Sequence, residues 1–292
     1  DGFFDPANPQ GLPAGADDEP AETLQPDTDT EADDSEEQTV GDVAASGAPE
    51  TPTAEEEEDE NSEPRPSLLN FANTDLTFSG DVLVTGNYHG FNAYDISNPT
   101  TPQLLSSVVC PGGQGDVSIV GDLLILSVEQ TRGRLDCGLQ GVAEPESAER
   151  FRGIRIFDVS DFRMPQQVGA VQTCRGSHTH TVVTDADDAG NIYIYGSGTG
   201  SVRPGEELDG CSDESPYKDA DTALFRIDVI QIPVDRPQDA QIVNRPFIFS
   251  DPDSGIIAGL WEGGDHGPDT QRTRQTNQCH DITTFPEVGL AA

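Results

Sequence analysis

Between residues 67 and 292 apolar side chains come in short runs broken by Gly, Asp, Asn and Pro. Runs of that length with those breakers predict β-strands and tight turns rather than helices. Ile154 and Ile156 alternate with Arg155, as in a strand with one wetter face, and Leu123–Val128 is the longest nearly continuous apolar run. No run approaches the roughly 18 residues that a membrane-spanning helix needs.

The pattern also recurs. Asp75-Leu-Thr-Phe-Ser-Gly-Asp-Val-Leu-Val parallels Asp116-Val-Ser-Ile-Val-Gly-Asp-Leu-Leu-Ile, two apolar strands about a Gly-Asp turn. His180-Thr-Val-Val-Thr-Asp followed by Gly190-Asn-Ile-Tyr-Ile-Tyr has the same plan with a longer turn, and His280-Asp-Ile-Thr-Thr-Phe starts it again. Downstream, Gly90-Phe-Asn-Ala-Tyr-Asp-Ile-Ser-Asn-Pro parallels Gly153-Ile-Arg-Ile-Phe-Asp-Val-Ser-Asp-Phe. Each leads through a proline (Pro102, Pro165) to a fourth strand, and Phe225-Arg-Ile-Asp-Val-Ile-Gln-Ile-Pro-Val is a looser copy. The step from Asp75 to Asp116 is 41 residues. Four short strands at that spacing are expected of a β-propeller blade, so the fold class is all-β: an incomplete propeller of about three blades and the start of a fourth.

The order of these motifs resembles the LVIVD-repeat proteins, a family of secreted or surface bacterial proteins expected to form β-propellers. The resemblance is carried by Asp81-Val-Leu-Val, Tyr94-Asp-Ile-Ser-Asn-Pro, Asp122-Leu-Leu-Ile-Leu, Phe157-Asp-Val-Ser and Cys279-His-Asp-Ile-Thr, over about residues 70–292. Ile232-Pro-Val departs from it. It implies a fold and an extracellular, cell-surface or periplasmic location more than a chemistry, because fold does not settle function.

Composition divides the 292 residues in two. Residues 1–66 hold 22 of the 54 acidic residues and one basic residue, Arg65, including the run Glu55–Glu60. Such a segment cannot bury enough apolar surface to offset its chain entropy, so 1–66 reads as a disordered acidic linker and 67–292 as the folded part. The linker would act as a tether at the N-terminal side, and the chain reads as a piece cut from a longer one at both ends. The net charge of −39 argues against a nucleic-acid partner, whose phosphates need cations to neutralise them.

Ordering the strands of a blade from the axis outward places three long inserts on one face: 129–152, 198–222 and about 250–278. Binding residues concentrate on such loops over a rigid scaffold. All five cysteines fall there, and their positions in the units suggest the pairs Cys110–Cys137 and Cys174–Cys211. Cys279 would pair with a cysteine beyond this chain, and such a ladder implies an oxidising compartment. His180 and His280 occupy the position that Asp75 and Asp116 hold in their own units, with His178 and His266 nearby. Imidazoles and carboxylates converging on a channel mouth could hold a divalent transition metal, or could simply cap the strands. Asp185-Ala-Asp-Asp-Ala-Gly-Asn reads as a turn, since the far Glu of a calcium loop is missing. Trp261 is expected to anchor the third insert.

Two functions follow. The first is a non-catalytic scaffold whose disulfide-pinned loop face binds a protein or glycan; no complete catalytic constellation is present. The second is a metal-dependent, oxidoreductase-like propeller enzyme using the His and Asp residues at the channel mouth.

Overall fold

The computed structural model describes residues 72–292 except 249, 252, 255–263, 266, 271 and 274–275. The acidic segment 1–66, His266 and Trp261 therefore lie outside the described residues. Within them the fold is all-β, and the only helical turns are short 3-10 ones. No described helix is long and apolar enough to cross a membrane.

Three four-stranded antiparallel meanders follow one another along the chain. The first comprises β1 (Asn73–Ser79), β2 (Val82–Asn87), β3 (Gly90–Asp95) and β4 (Gln103–Val109). The second comprises β5 (Val117–Val120), β6 (Leu123–Val128), β7 (Gly153–Asp158) and β8 (Gln166–Gln172). The third comprises β9 (Thr179–Val183), β10 (Asn191–Ser197), β11 (Asp228–Pro233) and β12 (Gln241–Asn244). A hairpin of β13 (Thr284–Phe285) and β14 (Leu290–Ala291) ends the chain. The strand expected from His280 is thus shorter than its sequence suggested. Residues 280–282 instead lie beside β9, whose Thr179 and Thr181 hydroxyls donate to the carbonyls of His280 and Ile282. No described sheet closes on itself.

The sheets pack face to face in series. Every residue of β6 is buried, because its two faces serve two interfaces. Leu124 and Leu126 join Val84, Phe91 and Ala93 of the first sheet, whereas Leu123 and Ile125 join Ile192, Ile194 and Ile230 of the third. A strand buried on both faces reads as a continuous apolar run, which is why Leu123–Val128 stood out. Ile227 and Val229 continue the stack onto Ile282.

The local motifs have structural causes. Gly90 and Gly153 both open a third strand, at φ of 136° and 143°, conformations that L side chains rarely adopt. A Cβ would sit 2.2 Å from the Val108 carbonyl oxygen at Gly90 and 2.0 Å from that of Val171 at Gly153. In the Asp-x-Ser motifs, Asp95 and Asp158 each accept the backbone N–H of the serine two residues on, at 2.9 Å. Those serine bonds hold both carboxyl groups below the usual range. Ile96 and Val159 then close on the carbonyls of Asp81 and Asp122 at 2.8 Å. In the third sheet Val234 makes the corresponding bond to Gly190 at 3.0 Å. There a 3-10 turn, Pro237–Asp239, replaces the aspartate turn that Ile232-Pro-Val cannot form.

Candidate functional site

Two long connections leave the ends of buried strands: residues 129–152 join β6 to β7, and residues 198–227 join β10 to β11. Both carry a disulfide. Cys110 pairs with Cys137 and Cys174 with Cys211, with Cα separations of 4.4 and 5.3 Å, as the spacing of the cysteines suggested. Cys279 is a half-buried free thiol whose pKa is pushed up by burial against the pull of Arg175.

The connections touch through charged side chains that the sequence reading did not single out. Glu207, its side chain fully buried, bridges the guanidinium groups of Arg150 and Arg203, and it also accepts the Ser147 N–H at 2.9 Å. Burial works to raise its pKa, but the Ser147 N–H and the two arginines outweigh it and hold the carboxyl below its ordinary value. Arg152, 2% exposed, forms no ion pair among the described residues; it donates to the carbonyls of Glu129, Ser201 and Arg175 at 2.9, 2.9 and 3.0 Å. Burial, with the like charges of Arg203 and Arg150, lowers its pKa to about 10, so it remains a cation at neutral pH. Arg155 is also buried, stacked over the Phe151 ring with its guanidinium carbon 4.1 Å from the centroid, and donates to the Leu135 and Arg134 carbonyls.

Between the connections opens a cleft of about 550 Å³. Arg132, Arg150, Arg152 and Arg203 line it, together with Glu144 and apolar residues such as Val142 and Val202. Irregular backbone must find partners for its carbonyls once buried, and a guanidinium with five donors in a fixed fork supplies several at a time. The signal was present in the sequence: five of fourteen arginines fall within 132–155, and the chain has a single lysine, Lys218.

The histidines form two separate arrangements. His180, with a fully buried side chain, places Nδ1 2.7 Å from Asp116 Oδ2 and 2.8 Å from Ser127 Oγ. The same Asp116 oxygen accepts the His180 backbone N–H at 2.8 Å, and Asp75 Oδ2 accepts the Val117 N–H at 2.9 Å one sheet earlier. Burial opposes ionisation of Asp116, yet the bonds from His180 hold its pKa down; Asp75, hydrogen-bonded to Asp116, is pushed up chiefly by burial. Serine activation needs the hydroxyl on one ring nitrogen and the carboxylate on the other. Here both share Nδ1, and the buried Nε2 has no hydrogen-bond partner among the described residues, so these groups assemble no nucleophilic relay.

In the second arrangement Glu129 Oε2 lies 2.6 Å from His178 Nδ1, and Glu129 also accepts from the Thr199 N–H and hydroxyl. The rings of His178 and His280 lie 4.6 Å apart. Asp75, Asp116 and His180 therefore come together, as do His178 and His280, whereas His266 lies outside the described residues. Among the described residues no group of three or more His, Cys, Asp or Glu is placed to hold a metal ion. The His180 and His178 Nδ1 atoms each face a protein carboxylate. At the calcium-like segment, Asp185 caps the 3-10 turn Ala186–Asp188 by accepting the Asp187 N–H.

No protein-family model matches the chain. No curated protein matches it either. Among solved structures it is similar to the computationally designed Ika4 protein at a TM-score of 0.27 and 15% identity, covering 59% of this chain and 92% of that one. It is also similar to a chain from a complex of S. cerevisiae Dbp5 with Nup159, Gle1, IP6 and ADP, at a TM-score of 0.21 and 10% identity, covering 64% of this chain and 50% of that one. Likeness at that level identifies no family.

Proposed function

We propose that the chain is a secreted or cell-surface binding scaffold, built of LVIVD-like propeller blades, whose disulfide-pinned loop face takes a protein or glycan partner. The observation that carries this reading is that both long connections are anchored by disulfides and lock together through Glu207. On that framework they expose apolar side chains: Leu139 and Tyr217 are each 74% accessible. A pinned surface loses little conformational entropy on binding, and exposed aromatic and aliphatic anchors supply contact area. The propeller part of the reading is supported by three successive four-stranded meanders of the same order. The third and fourth strands of the first two meanders share a register shift at the same place, between Ala93 and Tyr94 and between Ile156 and Phe157, and the third meander has its shift two residues earlier in the strand, between Val229 and Ile230. The extracellular part is supported by the two disulfides, which persist in oxidising compartments.

The test is a binding screen of the oxidised chain against a glycan array and against extracellular proteins of its source. The Leu139→Asp/Tyr217→Asp double variant serves as the comparison. The expected result is a ligand retained by the parent and lost by the variant, with circular dichroism and Tm unchanged. A ligand retained equally by both would overturn the placement of the binding face.

A further inference from the structure

The arginine cleft reverses the charge of the molecule. The chain as a whole carries a net charge of −39, yet four arginines line this cleft against Glu144 and the adjoining Glu207, an excess of two positive charges. The arginines do not share the same duty. Arg150 and Arg203 are paired with Glu207, and Arg152 spends three donors on main-chain carbonyls. Arg132 is exposed at the rim, and its guanidinium meets no acceptor among the described residues. A structural stitch needs no cavity, whereas a volume of about 550 Å³ lies within the usual range of small-ligand sites.

We infer that the cleft between residues 129–152 and 198–227 binds a phosphate monoester carried on a polar body of monosaccharide size. The inference rests on the binding-face reading and names the ligand class for it. A phosphate monoester carries close to two negative charges at neutral pH, which matches the excess, whereas a sulfate ester or a uronate carries one. A guanidinium fork fits such oxygens bidentately; the unpaired fork of Arg132 supplies it at the rim, while Arg150, Arg152 and Arg203, held by protein acceptors, contribute their charge. The phosphate alone would leave most of the volume empty; a sugar ring fills it against Val142, Val202 and Ser201. Because the surrounding field is negative, affinity comes from contacts inside the cleft and not from long-range steering.

Calorimetry on the full oxidised chain with glucose 6-phosphate, glucose 6-sulfate, inorganic phosphate and glucose tests this. Glucose 6-phosphate should bind most tightly, glucose 6-sulfate more weakly, and glucose without measurable heat. Binding should weaken below about pH 6, where the phosphate takes up its second proton. An oligosaccharide ending in mannose 6-phosphate separates a free sugar phosphate from a glycan terminus: equal or tighter binding points to the glycan, loss of binding to the free compound. Arg132→Glu should weaken glucose 6-phosphate about ten-fold or more, and Arg132→Lys less, since a point charge replaces the fork. As Arg132 is exposed, both variants should fold as the parent does. No binding of glucose 6-phosphate, or binding unchanged in Arg132→Glu, would overturn the site. The Leu139→Asp/Tyr217→Asp variant separates the two proposals: it should still bind glucose 6-phosphate even where partner retention fails.

Discussion

In the stacked sheets, Ile125 and Ile156 pack with Ile194 and Ile230, all at 0% exposure, and the burial is that of ordinary apolar strands. A few residues beyond the ends of the same strands, Arg152 is 2% and Arg203 3% exposed, and they reach main-chain carbonyls instead. The stack is held by non-directional burial over paired strands, where the ladders already satisfy the backbone. The connections have only isolated pairing such as the Arg134–Arg150 bridge, so many of their carbonyls draw on side-chain donors, and their order depends on a few charged groups and two disulfides. Burial alone therefore does not distinguish the two regions; what satisfies the buried backbone does.

Removing the bridge between the connections should have the largest effect. Glu207→Leu leaves Arg150 and Arg203 buried without a counter-charge and should cost about 3–5 kcal/mol, read as early proteolytic cleavage within 129–152 and 198–222. Cleavage in the sheets at the same rate would merge the two regions into one unit.

Acid should act in the same place. Glu207 has a folded-state pKa below its ordinary value, so its stabilisation is present above about pH 4.3 and is lost as pH falls through the lower folded value. Pepsin should therefore cut the connections before the strands as pH is lowered from 5.

Ile156→Ala works on the other region. It opens a cavity between the second and third sheets and should cost about 2–5 kcal/mol, lowering the main thermal transition while the loop face keeps its relative protection. Asp116→Asn is expected to be the mildest, about 1–2 kcal/mol, because it weakens the bonds to His180 but keeps an acceptor for the His180 N–H. Its readout is the urea midpoint, and an effect larger than that of Ile156→Ala would make the polar seam, not the apolar stack, the main support.

The stack was legible in the sequence because it depends on period and on turn chemistry. Gly90 with Gly153, and Asp95 with Asp158, mark backbone conformations that few other residues adopt, so their recurrence located third strands and the turns that follow. The cysteine pairs were legible because each cysteine falls at a corresponding place in its unit. The arginine enrichment of 132–155 was legible as composition, but the cleft was not, since its members come from residues 132 to 203 and meet only where two irregular connections touch. The histidines were only partly legible: position put His180 beside Asp116, but rotamer turned Nδ1 onto Asp116 and Ser127. Nothing in the period announced the pairing of His178 with Glu129.

The most direct test of the account is hydrogen exchange on the oxidised and reduced chain. Opening the 37-residue separation between Cys174 and Cys211 should cost about 4 kcal/mol in the chain-entropy view. The account predicts that reduction raises exchange through 129–152 and 198–227 while β6, β7, β10 and β11 stay protected. Equal loss of protection in strands and connections, or no change in the connections, would contradict it.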